Sequence, residues 1–560
     1  MRSESGIALR PVFLVALLCA TCTGVLIAAV LGGAMPSPLP PADNWWNLDI
    51  SAAPVDPGSA AFISFVGPSR GLHPDWGAEE SPGSVAVYGF PTIVVDGGQP
   101  RQTVTFQYGA ESDGVDHATG QSVPFYPIPE EAKTQAHWVE GGQPGNVDLR
   151  SQADRHILIF DRDNRCLYEL WNTYFDGTRW LAGSGAFFDL KTNNRRPEGW
   201  TSADAAGLAI LPGLVRWDEV YGPDEIRHAF RATVRATNGY VYPASHRAGS
   251  NPLALPMGAR LRLKAGVDIS RFQPASQKLF RAMKKYGLII ADNGSDMYVS
   301  GTYDSRWING SFNADFSAVI ASDFEVVRLG YQPSSQTYFP HIAVGGGYST
   351  ALSLINTGGT TATGSLSFTD VSGNPLQVSS DAFLGSSLPI AIAAGGASFF
   401  TAVSPDIPSP SKSGWARLQT SGGAVAGVAT FQLIERTVLK TLAGVFASSP
   451  TASAVIPVDN DDSQERFTGF AVANPSAADI NLQIGTFNAD GTPLDHVRPG
   501  PLNPLPANGQ VAVFLHQYSS SALKLRGTMR ISADGGQQFV IVALQQVRGL
   551  FTAIPVIPGN

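Results

Sequence analysis

Short apolar runs separated by turn residues recur along most of the chain after residue 40. Two such runs, residues 156–160 and 166–171, flank the turn residues 161–165 and predict a β-hairpin. A second hairpin is predicted where Asn238 and Gly239 separate residues 232–237 from 240–242, because Asn-Gly favours a two-residue hairpin turn. Helical periodicity is clearest over residues 274–286, which Gly287 follows in the position favoured for ending a helix. The pattern predicts a mainly β protein with few helices.

An internal repeat divides the last 225 residues into two copies. Residues 350–356 match 468–474 and residues 372–376 match 490–494, both at a spacing of 118 residues. Within each copy, apolar and small polar residues alternate between Asn, Gly and Pro turns, which is typical of an antiparallel sandwich. We therefore predict two modules, 336–449 and 450–560.

These copies resemble tandem Ig-like modules found at the C-termini of secreted proteins of soil bacteria. The resemblance rests on an N-P-S step, a D-G-x-P-L turn and an L-P-A-N-G-Q turn, all of which are turn sequences. It implies two Ig-like β-sandwich modules with a surface or spacing role, and it implies nothing about catalysis.

Residues 44–335 are predicted to form an N-terminal β-rich domain, a sandwich or jelly-roll-like fold that is the candidate functional domain. Its stretches D-R-H-I-L-I-F, G-W-T-S-A-D-A-A-G-L and K-Y-G-L-I-I-A-D-N-G resemble a group of exported bacterial proteins without established activity. That resemblance implies one coherent domain and assigns no role to any residue.

The N-terminal residues predict export. Residues 12–34 carry no charge, and Gly32 and Ala34 fit the −3 and −1 positions of a signal peptidase site, so residues 1–34 are predicted to be a signal peptide. The uncharged stretch is also long enough to span a bilayer, which leaves a retained N-terminal anchor as the alternative. The Pro-rich residues 35–43 are predicted to be a spacer, and the expected location is extracellular or at the cell surface.

Charge and composition exclude several classes of partner and reaction. The formal net charge is −8 and only 15% of residues are charged, so neither nucleic acid nor an anionic membrane surface is an expected partner. Membrane contact is expected only through the N-terminal segment, if that segment is retained. The chain has no P-loop, dinucleotide fingerprint or H-E-x-x-H sequence. Glycoside chemistry remains open because its two carboxylates follow no fixed spacing.

The candidate site is the stretch from 193 to 228 together with the second predicted hairpin. Arginines, carboxylates and a tryptophan in loops supply bidentate donors, acid/base groups and a flat ring for stacking on a saccharide. The alternative is an ordered crossover with solvated charges and structural histidines. The hairpin register would place Arg231 opposite His246 and Arg235 opposite Tyr242. On this basis the predicted catalytic residues are Glu219, Asp204, His228 and His246, and the predicted substrate-binding residues are Trp200, Arg195, Arg196, Arg231, Arg235 and Tyr242.

No cofactor is predicted. Asp292 and Asp296 lie in a run of Asp and Asn residues that could hold Ca²⁺, but the remaining ligand positions of an EF loop are missing, which favours an Asx-rich turn.

Two functional hypotheses follow from these features. Nine of the ten tryptophans and most histidines precede residue 335, which favours a secreted protein that acts on or binds extracellular polysaccharide. As an enzyme it would be a glycoside hydrolase or a polysaccharide lyase. The alternative is a non-catalytic adhesion protein that binds a glycan or another component of the cell envelope, and the sequence leaves open whether it is an enzyme.

Overall fold

The computed structural model describes residues 29–380, 383–406 and 408–559. The chain divides into two compact units: the first contains residues up to Val327 except 193–195, and the second contains Asn193–Arg195 and Arg328 onwards. The predicted signal peptide or anchor lies outside the described residues except for its last six positions. Among the described helices, none is long and apolar enough to cross a membrane. The predicted mainly β class with few helices is confirmed.

The first unit contains seventeen strands and five helices among its described residues. The strands are β1 (Val30–Leu31), β2 (His73–Gly77), β3 (Thr92–Val95), β4 (Gln102–Phe106), β5 (Val115–Asp116), β6 (Gln121–Ser122), β7 (Pro124–Tyr126), β8 (Ile157–Asp161), β9 (Cys166–Trp171), β10 (Tyr174–Phe175), β11 (Trp180–Ala182), β12 (Ser184–Asp189), β13 (Phe230–Val234), β14 (Arg260–Leu263), β15 (Leu288–Asn293), β16 (Tyr298–Tyr303) and β17 (Phe324–Val326). The helices are α1 (Ser59–Val66), α2 (Glu131–Thr134), α3 (Trp217–Tyr221), α4 (Pro274–Lys285) and α5 (Asn313–Ser317).

Three sheets of four or more strands organise the first unit. Their strand orders are β1-β3-β8-β9-β12, β10-β11-β4-β7 and β17-β14-β15-β13-β16-β2. Several neighbours are parallel, including β3 with β8, β13 with β15 and β16 with β2. Apolar side chains of the first of these sheets pack on both of its faces into buried clusters, which explains why β8 and β9 are mostly apolar and are buried along almost their whole length.

The first predicted hairpin is confirmed, and the second is wrong. Strands β8 and β9 pair antiparallel from Ile157 opposite Leu170 to Asp161 opposite Cys166. Strand β13 instead lies between β15 and β16, which are distant in sequence, while Asn238 and Gly239 belong to a separate loop in which Asn238 bridges Ser250. Pairing in the centre of a sheet overrode the local turn preference. The predicted helix forms as α4, and the strand after it forms as β15.

The Pro-rich segment 35–43 lies on the first unit. Leu39 is buried in the cluster that contains Phe160 and Leu211, and the Arg165 guanidinium donates to the Leu39 carbonyl at 3.1 Å. Ahead of this segment, β1 adds a strand to the edge of the first sheet, with Val30 opposite Val94. Residues 35–43, which the sequence predicts to be a spacer, therefore pack against the first unit.

The second unit consists of two sandwiches with the same strand topology. The strands of the first are β18 (Ser334–Val344), β19 (Tyr348–Asn356), β20 (Ala362–Asp370), β21 (Val378–Ser380), β22 (Phe383–Gly385), β23 (Ser387–Ile392), β24 (Ala397–Ala402), β25 (Lys412–Ser421), β26 (Val425–Glu435) and β27 (Val438–Phe446). The strands of the second are β28 (Ser453–Asp459), β29 (Arg466–Ala473), β30 (Leu482–Asn488), β31 (Pro493–Val497), β32 (Gln510–Phe514), β33 (Arg526–Ala533), β34 (Val540–Val547), β35 (Leu550–Ile554) and β36 (Ile557–Pro558).

The sheet orders correspond, apart from β36, which is one extra edge strand in the second sandwich. In the first sandwich they are β18-β25-β20-β23 and β24-β19-β26-β27, and in the second they are β31-β30-β33-β28-β36 and β32-β29-β34-β35. The repeated asparagines have the same role: Asn356 and Asn474 are fully buried, and each Nδ2 donates to three backbone carbonyls. The sequence repeat thus reflects two copies of one sandwich whose turns are held by an equivalent asparagine.

Candidate functional site

The candidate site is a group of charged side chains on one face of the six-stranded sheet, centred on Arg231, which we call the Arg231 cluster. It contains the charged side chains of Arg231, Asp204, Asp292, Asp75, Glu140 and His156, together with the Ser300 hydroxyl. Register brings three of these side chains to one row: Asp75 on β2 pairs with Ser300 on β16, and the β13–β16 pairing continues to Arg231. Directly paired residues share a face, so Asp75 and Arg231 lie two strands apart, about 10 Å between their Cα atoms.

Arg231 is buried and fully engaged. Its Nε and Nη2 donate to the two oxygens of Asp204 at 3.0 and 2.9 Å, Nη2 also donates to Asp292 Oδ2 at 3.0 Å, and Nη1 donates to Ser300 Oγ at 2.8 Å. Burial opposes the positive charge, but the carboxylates of Asp204 and Asp292 outweigh it and raise the Arg231 pKa. The guanidinium is thereby a fixed positive charge inside the domain.

A β-bulge directs Asp292 toward this arginine. The β13–β15 register shifts between Ala232 and Thr233, so that Thr233 pairs with Asp292 although Ala232 pairs with Ile290. Bulges re-aim side chains and often lie beside functional sites. The Asp292 side chain keeps 27% of its surface exposed, and burial together with the nearby Asp204 raises its pKa to about 6 against the opposing effect of Arg231.

Glu140 and His156 form an ion pair on the same cluster. His156 donates from Nδ1 to Glu140 Oε2 at 2.6 Å and from Nε2 to the Ala203 carbonyl at 2.9 Å. Burial disfavours the imidazolium, but the Glu140 carboxylate dominates and raises the His156 pKa to about 9. Burial likewise opposes ionisation of Glu140, yet His156 lowers its pKa below the ordinary value. Glu140 is therefore a carboxylate near neutral pH, with 22% of its side chain exposed.

The pKa of Asp75 is shifted in the opposite direction from that of Glu140. Its side chain is half-buried, and burial together with the negative charge of Glu140 raises its pKa, although Arg231 and His73 act against that rise. Glu169, in the middle of the apolar strand β9, accepts from the backbone N–H groups of Ile210 and Leu211 at 2.8 to 3.0 Å, and burial raises its pKa to about 7. Carboxyl groups with opposite protonation preferences thus share one region, which is the arrangement that acid/base chemistry requires.

The predicted catalytic residues separate into different places. Asp204 belongs to the Arg231 cluster, where it is buried under Arg231. Glu219 lies on α3. Its carboxylate accepts hydrogen bonds from Arg216 at 2.5 Å, His228 at 3.0 Å and Ser37 at 2.5 Å. Burial opposes its ionisation, but Arg216 and His228 hold its pKa well below the ordinary range. His246 is half-buried and its Nδ1 donates to the Ala205 carbonyl at 2.9 Å.

The register that was predicted to bring Arg231 to His246 and Arg235 to Tyr242 does not form. His228 is buried, with Nε2 3.0 Å from Glu219 Oε2 and Nδ1 2.9 Å from the Ala229 carbonyl oxygen. Arg235 instead pairs with Asp296 at 2.5 Å, and the Tyr242 ring meets the Trp45 ring edge-on with centroids 6.2 Å apart. The chain leaves the sheet after β13, and residues 235–246 form no strand. The segment that contains Tyr242 and His246 therefore cannot pair with β13.

The predicted binding residues also divide. Arg196 is buried, pairs with Asp113 and lies 5.3 Å from the half-buried ring of Trp200, whereas Arg195 groups with the second unit. Asp218 precedes Glu219 on α3 and pairs with a different arginine, Arg306, at 2.8 Å. Asp292 and Asp296 each contact a different arginine. No group of three or more metal-ligating side chains occurs among the residues that the structure describes.

Sequence reasoning missed Asp75, Glu140 and Glu169 as site residues. Glu169 carried a usable signal, since it is a lone carboxylate in the apolar strand C-L-Y-E-L-W. Asp75 and Glu140 carried none, because each lies far in sequence from the partners it meets. No protein family model, no curated protein and no solved structure matches this chain.

Proposed function

We propose that this protein is a secreted carbohydrate-active enzyme, a hydrolase or lyase, that cleaves an extracellular polysaccharide at the Arg231 cluster. The observation that carries the proposal is the opposite displacement of the pKa values of neighbouring, partly exposed carboxyl groups. Glu140 is held ionised by His156, while Asp292 and Asp75 retain protons at higher pH. One ionised and one protonated carboxyl group are what a glycosidase uses as base or nucleophile and as general acid.

In this mechanism each side chain has one task. Asp292, with a pKa of about 6, donates a proton to the departing sugar oxygen, and Asp75 shares or relays that role. Glu140 acts as base or nucleophile, since His156 keeps it charged. Arg231 is a positioning residue that orients Asp292 and Asp204 and keeps the site's net charge low.

The test is release of reducing ends or unsaturated uronates from a panel of neutral and uronate-containing polysaccharides, followed by variants on any active substrate. Asp292→Asn and Glu140→Gln should each lower kcat at least a hundredfold, because they remove the proton donor and the charged partner. Asp296→Asn is the matched control, since Asp296 pairs with Arg235 outside the cluster and should keep activity near wild type. The activity should fall as pH rises through about 6.

Two results would contradict the proposal. One is a folded protein that releases nothing from any polysaccharide of the panel. The other is an activity that survives both Asp292→Asn and Glu140→Gln.

A second candidate function, glycan binding without turnover, is favoured by a surface pair of aromatic rings in the first unit. Tyr108 is 45% exposed and stacks with the half-buried Trp171, with ring centroids 6.4 Å apart and planes inclined by 24°. Such rings suit stacking on sugar faces. Saturable binding to an immobilised polysaccharide that is lost in Tyr108→Ala, with no product released, would favour adhesion over catalysis.

A further inference from the structure

The two sandwiches of the second unit are in direct contact. The Trp415 indole N–H donates to the Asn508 carbonyl at 2.7 Å, and the Arg417 guanidinium donates to the Pro475 carbonyl at 2.8 Å. Between the sandwiches, Tyr338 and Trp415 form a small buried cluster with Ala473 and Val540. A cavity at this contact therefore keeps its shape as long as both sandwiches are folded and packed.

Such a cavity lies where β18, β19 and β26 of the first sandwich approach β29, β32 and β35 of the second. Its volume is about 350 Å³, which is within the range of small-molecule sites in proteins. Both sandwiches contribute to its wall, and most of the wall is aromatic or aliphatic. The aromatic residues that line it are His341, Tyr348, Phe431, Phe470, Phe514 and Phe551.

The rings are arranged as two walls. Phe514 and Phe551 lie nearly parallel, inclined by 14° with centroids 6.3 Å apart, whereas Phe431 meets Phe551 at 71° and His341 at 88°. Parallel rings on one side and ring edges on the other provide the offset and edge-to-face contacts that aromatic ligands favour. A sugar would need several charged or amide side chains for its hydroxyl groups, and the lining holds Lys412 and Gln517 as its only side chains of those kinds.

Among the lining side chains, His341 offers a ring N–H to a ligand. The Gln510 amide nitrogen donates to the Pro340 carbonyl at 3.2 Å, and the same nitrogen lies 3.4 Å from His341 Nδ1. Because an amide nitrogen can only donate, this contact assigns the acceptor role to Nδ1 and the proton of the neutral ring to Nε2. Burial lowers the His341 pKa to about 4, which keeps the ring neutral at ordinary pH. The described residues include no acceptor within hydrogen-bond distance of Nε2.

We propose that this cavity binds a planar aromatic compound carrying one oxygen acceptor, which receives a hydrogen bond from His341 Nε2 while the rings of Phe514, Phe551 and Phe431 enclose its apolar part. The site exists only when both sandwiches are packed together, and it is separate from the Arg231 cluster. The proposal gives the tandem modules a ligand of their own in addition to any role in presenting the first unit.

The experiment is equilibrium dialysis of the full-length protein against two probes. One is 2-naphthol, and the other is 2-methylnaphthalene, which has the same ring system without the oxygen. We expect saturable binding of 2-naphthol at one site per chain, at least tenfold tighter than that of 2-methylnaphthalene. Absence of saturable binding of 2-naphthol, or equal affinity for the two probes, would overturn the proposal.

Two variants locate the binding. Ala512→Trp places bulk in the cavity from an exposed position of its lining, so it should reduce 2-naphthol binding at least tenfold without unfolding the unit. His341→Phe keeps an aromatic ring but removes the donor, so it should weaken 2-naphthol about tenfold and leave 2-methylnaphthalene unchanged. Phe399→Ala, at a 78% exposed position that does not line the cavity, is the control and should bind as wild type. Unchanged binding in Ala512→Trp would show that the probe lies elsewhere and would refute the site.

Discussion

The two units bury polar groups of different kinds. In the first unit, charged side chains such as Arg231, Asp204 and Glu169 lie inside the domain. In the second, the buried polar side chains are mostly neutral, such as Asn356 and Asn474, which hold turns at equivalent places. Buried charges cost more free energy than buried amides unless they are fully paired. The first unit therefore depends on paired buried charges, whereas the second depends on neutral hydrogen-bonding groups that its two copies repeat.

The largest expected effect concerns the separation of the units themselves. Because each has its own buried clusters, calorimetry of the whole protein should show two unfolding transitions, one of which disappears when residues 328–560 are removed. If the remaining first unit is unfolded, the modules complete its core and the comparison between two separate units fails.

Replacing the central arginine tests the cost of the buried charges. Arg231→Met leaves Asp204 and Asp292 without their partner, so the unfolding free energy of the first unit should fall by about 3 to 5 kcal/mol. Arg498→Met in the second unit removes an exposed pair with Asp534 and should cause no measurable change. Urea denaturation of both variants provides the measurement, and similar losses in the two would contradict the comparison.

The units should also respond to pH in opposite directions between about pH 4 and 7. The pKa of Glu169 is raised to about 7, so the folded state favours its protonated form. This contribution to the free energy of unfolding is complete below the ordinary pKa of Glu169. It is lost as pH rises toward 7, by about 3 kcal/mol. Asp292, raised to about 6, acts in the same direction. His341 has its pKa lowered to about 4, so its contribution in the second unit is lost as pH falls from 6.5.

Thermal unfolding of the two transitions at pH 5 and pH 7.5 would measure this difference. Glu169→Gln should flatten the pH dependence of the first unit and leave that of the second unchanged. A first unit that becomes more stable as pH rises through this window would contradict the assignment of the raised pKa values.

The smallest effect tests the equivalence of the two sandwiches. Asn356→Ala and Asn474→Ala each leave three backbone carbonyls without their donor, so each should lower the unfolding free energy by about 1 to 3 kcal/mol. The exposed Asn374→Ala should change it by less than about 0.5 kcal/mol. Clearly unequal losses at the two buried positions would argue against a shared structural role.

The sequence predicted those features that depend on neighbours along the chain. The β8–β9 hairpin, helix α4 and the duplicated sandwiches were within reach because periodicity and turn residues specify them locally. The pairing of β13 was not, since its partners begin more than fifty residues later. The same limit applies to the site: Asp204 and Arg231 were candidates, but their contact, and the approach of Asp75 and Glu140, depend on sheet order.

The pairing of β1 with β3 gives the predicted signal peptidase cleavage a consequence for the folded protein. Cleavage after Ala34 would remove Val30 and Leu31 and also the Gly32 N–H, which donates to the Thr92 carbonyl at 2.7 Å. The outer backbone groups of β3 would then have no partner, and the first sheet would gain an open edge able to accept a strand from another chain. The position of a single proteolytic cut would thus determine whether the protein presents a capped sheet or one that can recruit a partner by strand addition.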